Sequence, residues 1–171
     1  VSGVAGYSGV ALTSAKSHEV RILDGTHPDI KWVDHIASNV VLVVLNGADR
    51  APEIAKALLH HGRDAATSVV ITRDGTTVDQ RSIVTKLEEV SAAVKASRHS
   101  GAGVMIIGEP VSKRSELSWF ESKPLFGWRV LLPRTKDSLK ELVSNLEALG
   151  ATVTDVPTLS VEAPRTPQQM D

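Results

Sequence analysis

An α/β fold is what this sequence predicts: a mostly buried sheet with helices on both faces, followed by a partial βαβ unit. Three observations predict it. Strand-length segments such as 39–45 are apolar at every residue after the first, as in strands covered on both faces. They alternate with segments whose apolar residues recur at helical spacing. A polar stretch over 112–127, carrying Pro124 and Gly127, separates two periodic regions and sets an expected boundary near Lys123.

Taken in order, residues 1–13 are small and apolar, which suits a helix packed closely against another element. Residues 18–23 alternate as a half-buried strand does, and Trp32, Val33, Ile36 and Ala37 give one or two amphipathic turns. After the strand at 39–45, Pro52 suits the first turn of a helix with Ile54, Ala55, Leu58 and Leu59 on one face. Gly62 is placed to end that helix. A strand at 68–72 runs into the turn signal Asp74-Gly75, and 82–87 continues in β before a helix through Val90, Ala93 and Val94. A link at 99–103 leads to a buried strand at 104–107. Beyond the boundary, a strand at 128–132 precedes a helix capped by Thr135, with Leu139, Leu142, Val143, Leu146 and Leu149 as its stripe and Gly150 as its stop. A second strand at 151–156 completes a βαβ opening, the first step of a parallel sheet, and a short extended run reaches Val161.

Composition narrows the function. A net charge of −1 over 171 residues gives no field that would gather nucleic acid. The absence of cysteine excludes disulfides, thiolate catalysis and cysteine-bound metal, and fits a cytoplasmic protein. No apolar run approaches the length needed to span a bilayer. The sequence opens at Val1 without methionine and closes at Asp171 within an apparent new helix, so both ends are expected to be cuts through a longer protein.

Ordinary catalytic and metal-binding templates are missing, and no catalytic residue or metal ligand is assigned. His60-His61 suits the end of a helix, where imidazoles complement free carbonyls, and Asp34-His35 reads as a surface pair rather than an acid–base couple. Asn46-Gly47 and Asp74-Gly75-Thr76-Thr77 stand out because each follows a buried strand. Ligands of open α/β sheets collect beyond the carboxyl ends of strands, so the two loops are candidates to wall one cleft. The alternative is that both are tight turns chosen for positive φ.

A family resemblance bears on that choice. Gly6-Tyr7-Ser8-Gly9-Val10-Ala11-Leu12-Thr13 resembles the tyrosine-small-glycine-x-proline-leucine-threonine signature of uroporphyrinogen-III C-methyltransferases, which are tetrapyrrole methylases. Gly25-Thr26-His27, the 32–37 segment, Asp74-Gly75-Thr76-Thr77 with Gln80-Arg81, Gly108-Glu109-Pro110-Val111 and Leu117-Ser118-Trp119-Phe120-Glu121 are similar to further blocks of that family. They occur in its order over residues 3–121. Gly127-Trp128-Arg129-Val130-Leu131-Leu132-Pro133-Arg134-Thr135, Leu149-Gly150-Ala151 and Val156-Pro157 resemble the beginning of a uroporphyrinogen-III synthase.

The resemblance implies a C-terminal methylase domain at 1–123, without its N-terminal domain, and an incomplete synthase start at 124–171. It implies S-adenosyl-L-methionine as cofactor, uroporphyrinogen III as substrate, methyl transfer to C2 and C7, and a homodimer. It assigns Asn46, Gly75 and Thr13 to the cofactor site and Arg134 to a substrate carboxylate. The family's glycine-rich cofactor loops are absent, so this piece alone is expected to be inactive and to bind the cofactor poorly. Asn46 stands where the family packs a methionine on the cofactor, a loss of burial worth about 1.5–3 kcal/mol. Ala11 replaces proline, and Ser14-Ala15 replace a histidine-arginine. A degenerate, non-catalytic scaffold attached to the synthase, or a sibling methylase acting on a later precorrin, are the alternatives. The tail is expected to lean on the methylase domain or, in preference, on a second copy of the chain, because two strands and a helix cannot cover their own apolar surface.

Overall fold

The computed structural model describes residues 1–97, 101–134 and 140–157. The chain divides into two compact units, Val1–Lys123 and Pro124–Asp171.

The first unit is a five-stranded sheet clad on both faces. Its elements are α1 (Ser2–Tyr7), β1 (Glu19–Asp24), a 3-10 turn (Trp32–His35), β2 (Val40–Leu45), α2 (Ala51–His60), β3 (Ser68–Arg73) and β4 (Arg81–Lys86). Then come a 3-10 turn (Leu87–Glu89), α3 (Val90–Ser97), β5 (Gly103–Ile107), a 3-10 turn (Glu109–Lys113) and α4 (Arg114–Leu117). The sheet order is β1-β2-β5-β3-β4. In this sheet β1 and β2 pair in parallel; β5 is antiparallel to both β2 and β3, and β3 and β4 form an antiparallel hairpin. The β2-α2-β3 segment is thus a crossover between strands that point the same way, with β5 inserted between them.

Alternation along the central strands produces two apolar layers. Leu42, Val44, Val69, Ile71, Met105 and Ile107 face α2 and α3 and pack on Ile54, Leu58, Leu87 and Val90. Val41, Val43, Val70 and Ile106 face the other way, against Ala5, Val10 and Val111. This two-sided burial is why β2 and β3 are apolar on successive residues. Helix α2 starts with proline in its first turn and ends where Gly62 takes φ 95 and the Arg63 N–H donates to the Leu58 carbonyl at 3.0 Å. Arg63 is then turned inward, 3% exposed, and donates to the carbonyls of His35 (2.7 Å), Val40 (2.9 Å) and Ile107 (3.4 Å). With no carboxylate among these acceptors, burial pulls its pKa down to about 10.

The polar stretch 112–127 contains helical turns that its composition conceals. Segments of four or five residues are too short to show a 3.6-residue period.

In the second unit, β6 (Arg129–Arg134), α5 (Lys140–Ala148) and β7 (Thr152–Pro157) form a right-sized βαβ. The two strands are parallel, in register from Arg129↔Thr152 to Arg134↔Pro157. Gly150 at φ 100 closes α5, and the Ala151 N–H donates to the Leu146 carbonyl at 3.0 Å. Leu131, Trp128, Leu142 and Leu149 remain exposed. The cap at Thr135, the stripe residue Leu139 and the run to Val161 lie outside the described residues. Among the described residues no helix is long and apolar enough to cross a membrane.

Candidate functional site

Strands β1, β2 and β3 end, and β5 begins, along one edge of the sheet, so four loops meet there. Between them lies an open cleft of about 370 Å³. Asn46 and Gly75 both line it, together with Val4, Leu45, Thr72 and Val104. The two loops singled out from the sequence are therefore brought together, and Val4, Thr72 and Val104 join them. Sequence spacing gave no sign of those three, because α1, β3 and β5 converge only in the folded sheet.

Local geometry separates two roles that the sequence left joined. Asn46 stands at φ 54, a left-handed conformation that asparagine tolerates. In the second loop the left-handed residues are Asp74 at φ 49 and Thr76 at φ 74, on either side of the glycine. A Cβ on Gly75 would sit 2.9 Å from Val4 Cγ1, so this glycine admits helix α1 to the cleft wall. A Cβ on Gly47 would meet Val44 Cγ1 at 2.9 Å, again a matter of close approach. The turn is thus tight, but its glycine serves packing while threonine carries the strain, at a cost of about 1–3 kcal/mol. Asn46→Met should lower stability by about 1–2 kcal/mol through the same left-handed geometry, while Asn46→Gly should change it by a few tenths. Urea midpoints of the two variants check this.

Polar groups order the rim. Asp24 Oδ1 accepts from the Thr26 N–H (3.1 Å), the Thr26 hydroxyl (2.8 Å) and the Asn46 amide (3.4 Å). These donors, Thr26 first, hold the Asp24 carboxyl below its usual range. Arg50 donates to the Gly25 carbonyl at 2.8 Å, stitching the loop after β1 to the loop after β2. Arg73, 4% exposed, reaches Asp49 at 2.6 Å, the Ala48 carbonyl at 3.0 Å and the Gly101 carbonyl. The Arg73 bond keeps the Asp49 carboxyl below its ordinary range.

The remaining sequence candidates lie elsewhere. Thr13 is exposed and does not line the cleft; its neighbour Ser14 donates to Glu109 at 2.5 Å, beyond the carboxyl end of β5 and so at the opposite edge of the sheet. Arg134 ends β6 in the second unit, and its side chain lies outside the described residues. His60 and His61 close α2 with ring centroids 5.2 Å apart. His35 faces Arg21, and burial followed by that positive charge lowers its pKa. Among the described residues no cluster of histidine and carboxylate groups could hold a metal ion.

The resemblance blocks themselves converge on a second feature, next to the cleft. The aromatic rings of Tyr7, Trp119 and Phe120 meet edge to face, with Tyr7 4.6 Å from Phe120 and 5.1 Å from Trp119. Trp119 Nε1 donates to the Gly6 carbonyl at 3.1 Å. Glu121 accepts from Gln80 (2.7 Å), Ser82 (2.6 Å) and Arg114 (2.6 Å), and Arg114 also donates to the Ser8 carbonyl (2.8 Å). Ser82 continues through Thr72 (3.0 Å) to Ser8 (2.7 Å), and so to the cleft itself.

Comparison with known proteins places this architecture. The family model of the Tetrapyrrole (Corrin/Porphyrin) Methylases matches residues 1–91. The chain is 39% identical over 127 residues to a siroheme synthase of Azotobacter vinelandii, covering 71% of this chain and 27% of that protein. A siroheme synthase of Pseudomonas aeruginosa is 35% identical over 126 residues, covering 70% and 27% respectively. The chain therefore spans about a quarter of the length of these curated relatives. Among solved structures, a uroporphyrin-III C-methyl transferase from Thermus thermophilus, complexed with S-adenyl homocysteine, superposes with a TM-score of 0.53 at 27% identity. The match covers 64% of this chain and 50% of that one. A cobalt precorrin-4 methyltransferase has the same fold, with a TM-score of 0.56 at 15% identity over 62% of this chain and 47% of that one.

Proposed function

The chain belongs to the tetrapyrrole (corrin/porphyrin) methylases, and from that premise we propose that its first unit supplies one wall of an S-adenosyl-L-methionine site. The reaction proposed is methylation of uroporphyrinogen III at C2 and C7, by an enzyme whose continuation at 124–171 opens a uroporphyrinogen-III synthase. The observation that carries the cofactor reading is the edge cleft that joins Asn46 to Gly75. Its chemistry suits a nucleoside thioether: apolar Val4, Leu45 and Val104 for the flat base and the sugar's carbon face, with the Thr72 hydroxyl and Asn46 amide within the same lining. The glycines at 75 and 103 let Val4 of α1 and the Thr72 carbonyl of β3 close in on the lining, where a Cβ would come within 2.9 Å and 2.5 Å of them. When bound, the cofactor supplies an electrophilic methyl group on a sulfonium. The protein's part is to exclude water with the apolar wall and to fix the position of the nucleoside.

Small-molecule sites usually bury most of their ligand, and an open cleft of about 370 Å³ covers only part of this one. Binding by the chain is accordingly expected to be weaker than about 10 μM. Titration of the nitrogen-15-labelled chain with S-adenosylhomocysteine should shift amides at 45–47, 72–77 and 102–104. Shifts confined to the groove between α2 and α3, around Leu59 and Leu87, would refute the proposal. One observation favours the scaffold alternative: Asn46 puts a polar amide, bonded to Asp24, where the family packs a methionine. Saturable shifts at 45–47 would count against that alternative.

A further inference from the structure

Thr76 is β-branched yet stands at φ 74, next but one to Asp74 at φ 49, in the turn that walls the cleft. Side chains of its kind avoid this region, and such outliers persist only where their surroundings over-determine them. The surroundings here are an unbroken hydrogen-bonded series. The Thr76 N–H donates to Gln80 Oε1 at 2.8 Å. Gln80 is fully buried, and its amide nitrogen donates to the Tyr7 carbonyl at 3.1 Å and to Glu121 Oε1 at 2.7 Å. Glu121 is fixed in turn by Ser82 at 2.6 Å and by Arg114 at 2.6 Å, each of these two carboxylate and guanidinium side chains being 17% exposed.

The β3–β4 hairpin does not require this series. Its ladder already runs from Ser68↔Lys86 to Arg73↔Arg81 through backbone pairs. A buried glutamine and glutamate at its mouth therefore do something other than register the strands. We infer that Gln80, Glu121 and Arg114 are positioning residues that hold the strained 74–77 turn against the cleft, so that Gly75 is presented to an S-adenosyl ligand. This rests on the reading of the cleft given above.

The test uses the whole chain, labelled with nitrogen-15, and reads native-state order rather than stability. In the unaltered chain the amides of 75–77 should be as rigid as those of β3, with order parameters of about 0.85. Glu121→Gln puts an N–H where either Gln80 or Arg114 donates, and Gln80→Leu removes the acceptor of Thr76. In both variants order parameters at 75–77 should fall below about 0.6 while Val69–Ile71 keep theirs. Affinity for S-adenosylhomocysteine should fall about tenfold, as expected when a preorganised contact becomes mobile. Arg114→Lys, which keeps the charge, should lose less than either. Unchanged order at 75–77 in Glu121→Gln overturns the inference, as does an equal loss of order along β3. If a variant fails to fold, Arg114→Lys decides the same comparison. Absence of ligand shifts in the unaltered chain would remove the cofactor reading, while the order parameters still decide the positioning claim.

Discussion

Gly9→Ala is expected to destabilise the first unit by about 3 kcal/mol or more, through positive-φ strain plus overpacking. Gly9 stands at φ 66, and a Cβ there would lie 2.6 Å from Ser118 Cα and 2.8 Å from Ser118 N. Both obstacles are backbone atoms that no rotamer change can move. Relief requires 117–120 to withdraw from α1, which would give up the Trp119–Gly6 hydrogen bond and the packing of Tyr7 on Trp119 and Phe120. Gly6 is the control. It lies inside α1 with nothing within 4 Å of an added Cβ, so Gly6→Ala should stabilise by about 0.5–1 kcal/mol. Urea unfolding followed by tryptophan fluorescence distinguishes the two. Equal midpoints for both variants would mean that the 114–120 segment is not seated on the loop after α1.

Glu121→Ala carries the second large effect, a loss of about 3–5 kcal/mol. Truncation leaves the half-buried Arg114 guanidinium without its counter-ion and takes one acceptor from the Gln80 amide and the Ser82 hydroxyl, which keep Tyr7 and Thr72 as partners. An exposed ion pair would contribute under about 1 kcal/mol, so the size of the loss reports whether the pair is enclosed. Arg114→Met combined with Glu121→Leu should cost less than Glu121→Ala alone, since no charge is then left unpaired. A loss below about 1 kcal/mol for Glu121→Ala would place this side chain in solvent.

Much of the fold was legible because it is written locally. The limits of α2 follow from Pro52 and Gly62, and the buried runs at β2 and β3 announce strands covered twice. Strand order was not legible. Nothing near 103–107 says that β5 enters between β2 and β3, an approach that brings a Cβ placed on Gly103 to 2.5 Å from the Thr72 carbonyl oxygen. The site divides in the same way. That Asn46 and Gly75 share a cleft was legible because each follows a buried strand, a local signal with a spatial meaning. The conformational reading of Gly75 failed because Val4, 71 positions away, determines what that glycine is for, and the strain falls on Asp74 and Thr76 instead. Thr13 was carried by resemblance alone, and the hydrogen bond from Ser14 to Glu109 draws its segment to the far edge of the sheet. The resemblance blocks at 6–13, 80–81 and 117–121 were visible as words. That they touch one another, through Gln80 and Glu121, is a property of the folded chain.

The central claim is that an S-adenosyl ligand sits in the edge cleft of the first unit. It is tested most directly by isotope-filtered nuclear Overhauser contacts between S-adenosylhomocysteine and the methyl groups of the labelled chain. The account predicts contacts from the adenosyl protons to the methyls of Val4, Leu45 and Val104, which line the cleft beside Asn46 and Gly75. Contacts to Leu59 and Leu87 instead, in the groove between α2 and α3, would contradict it.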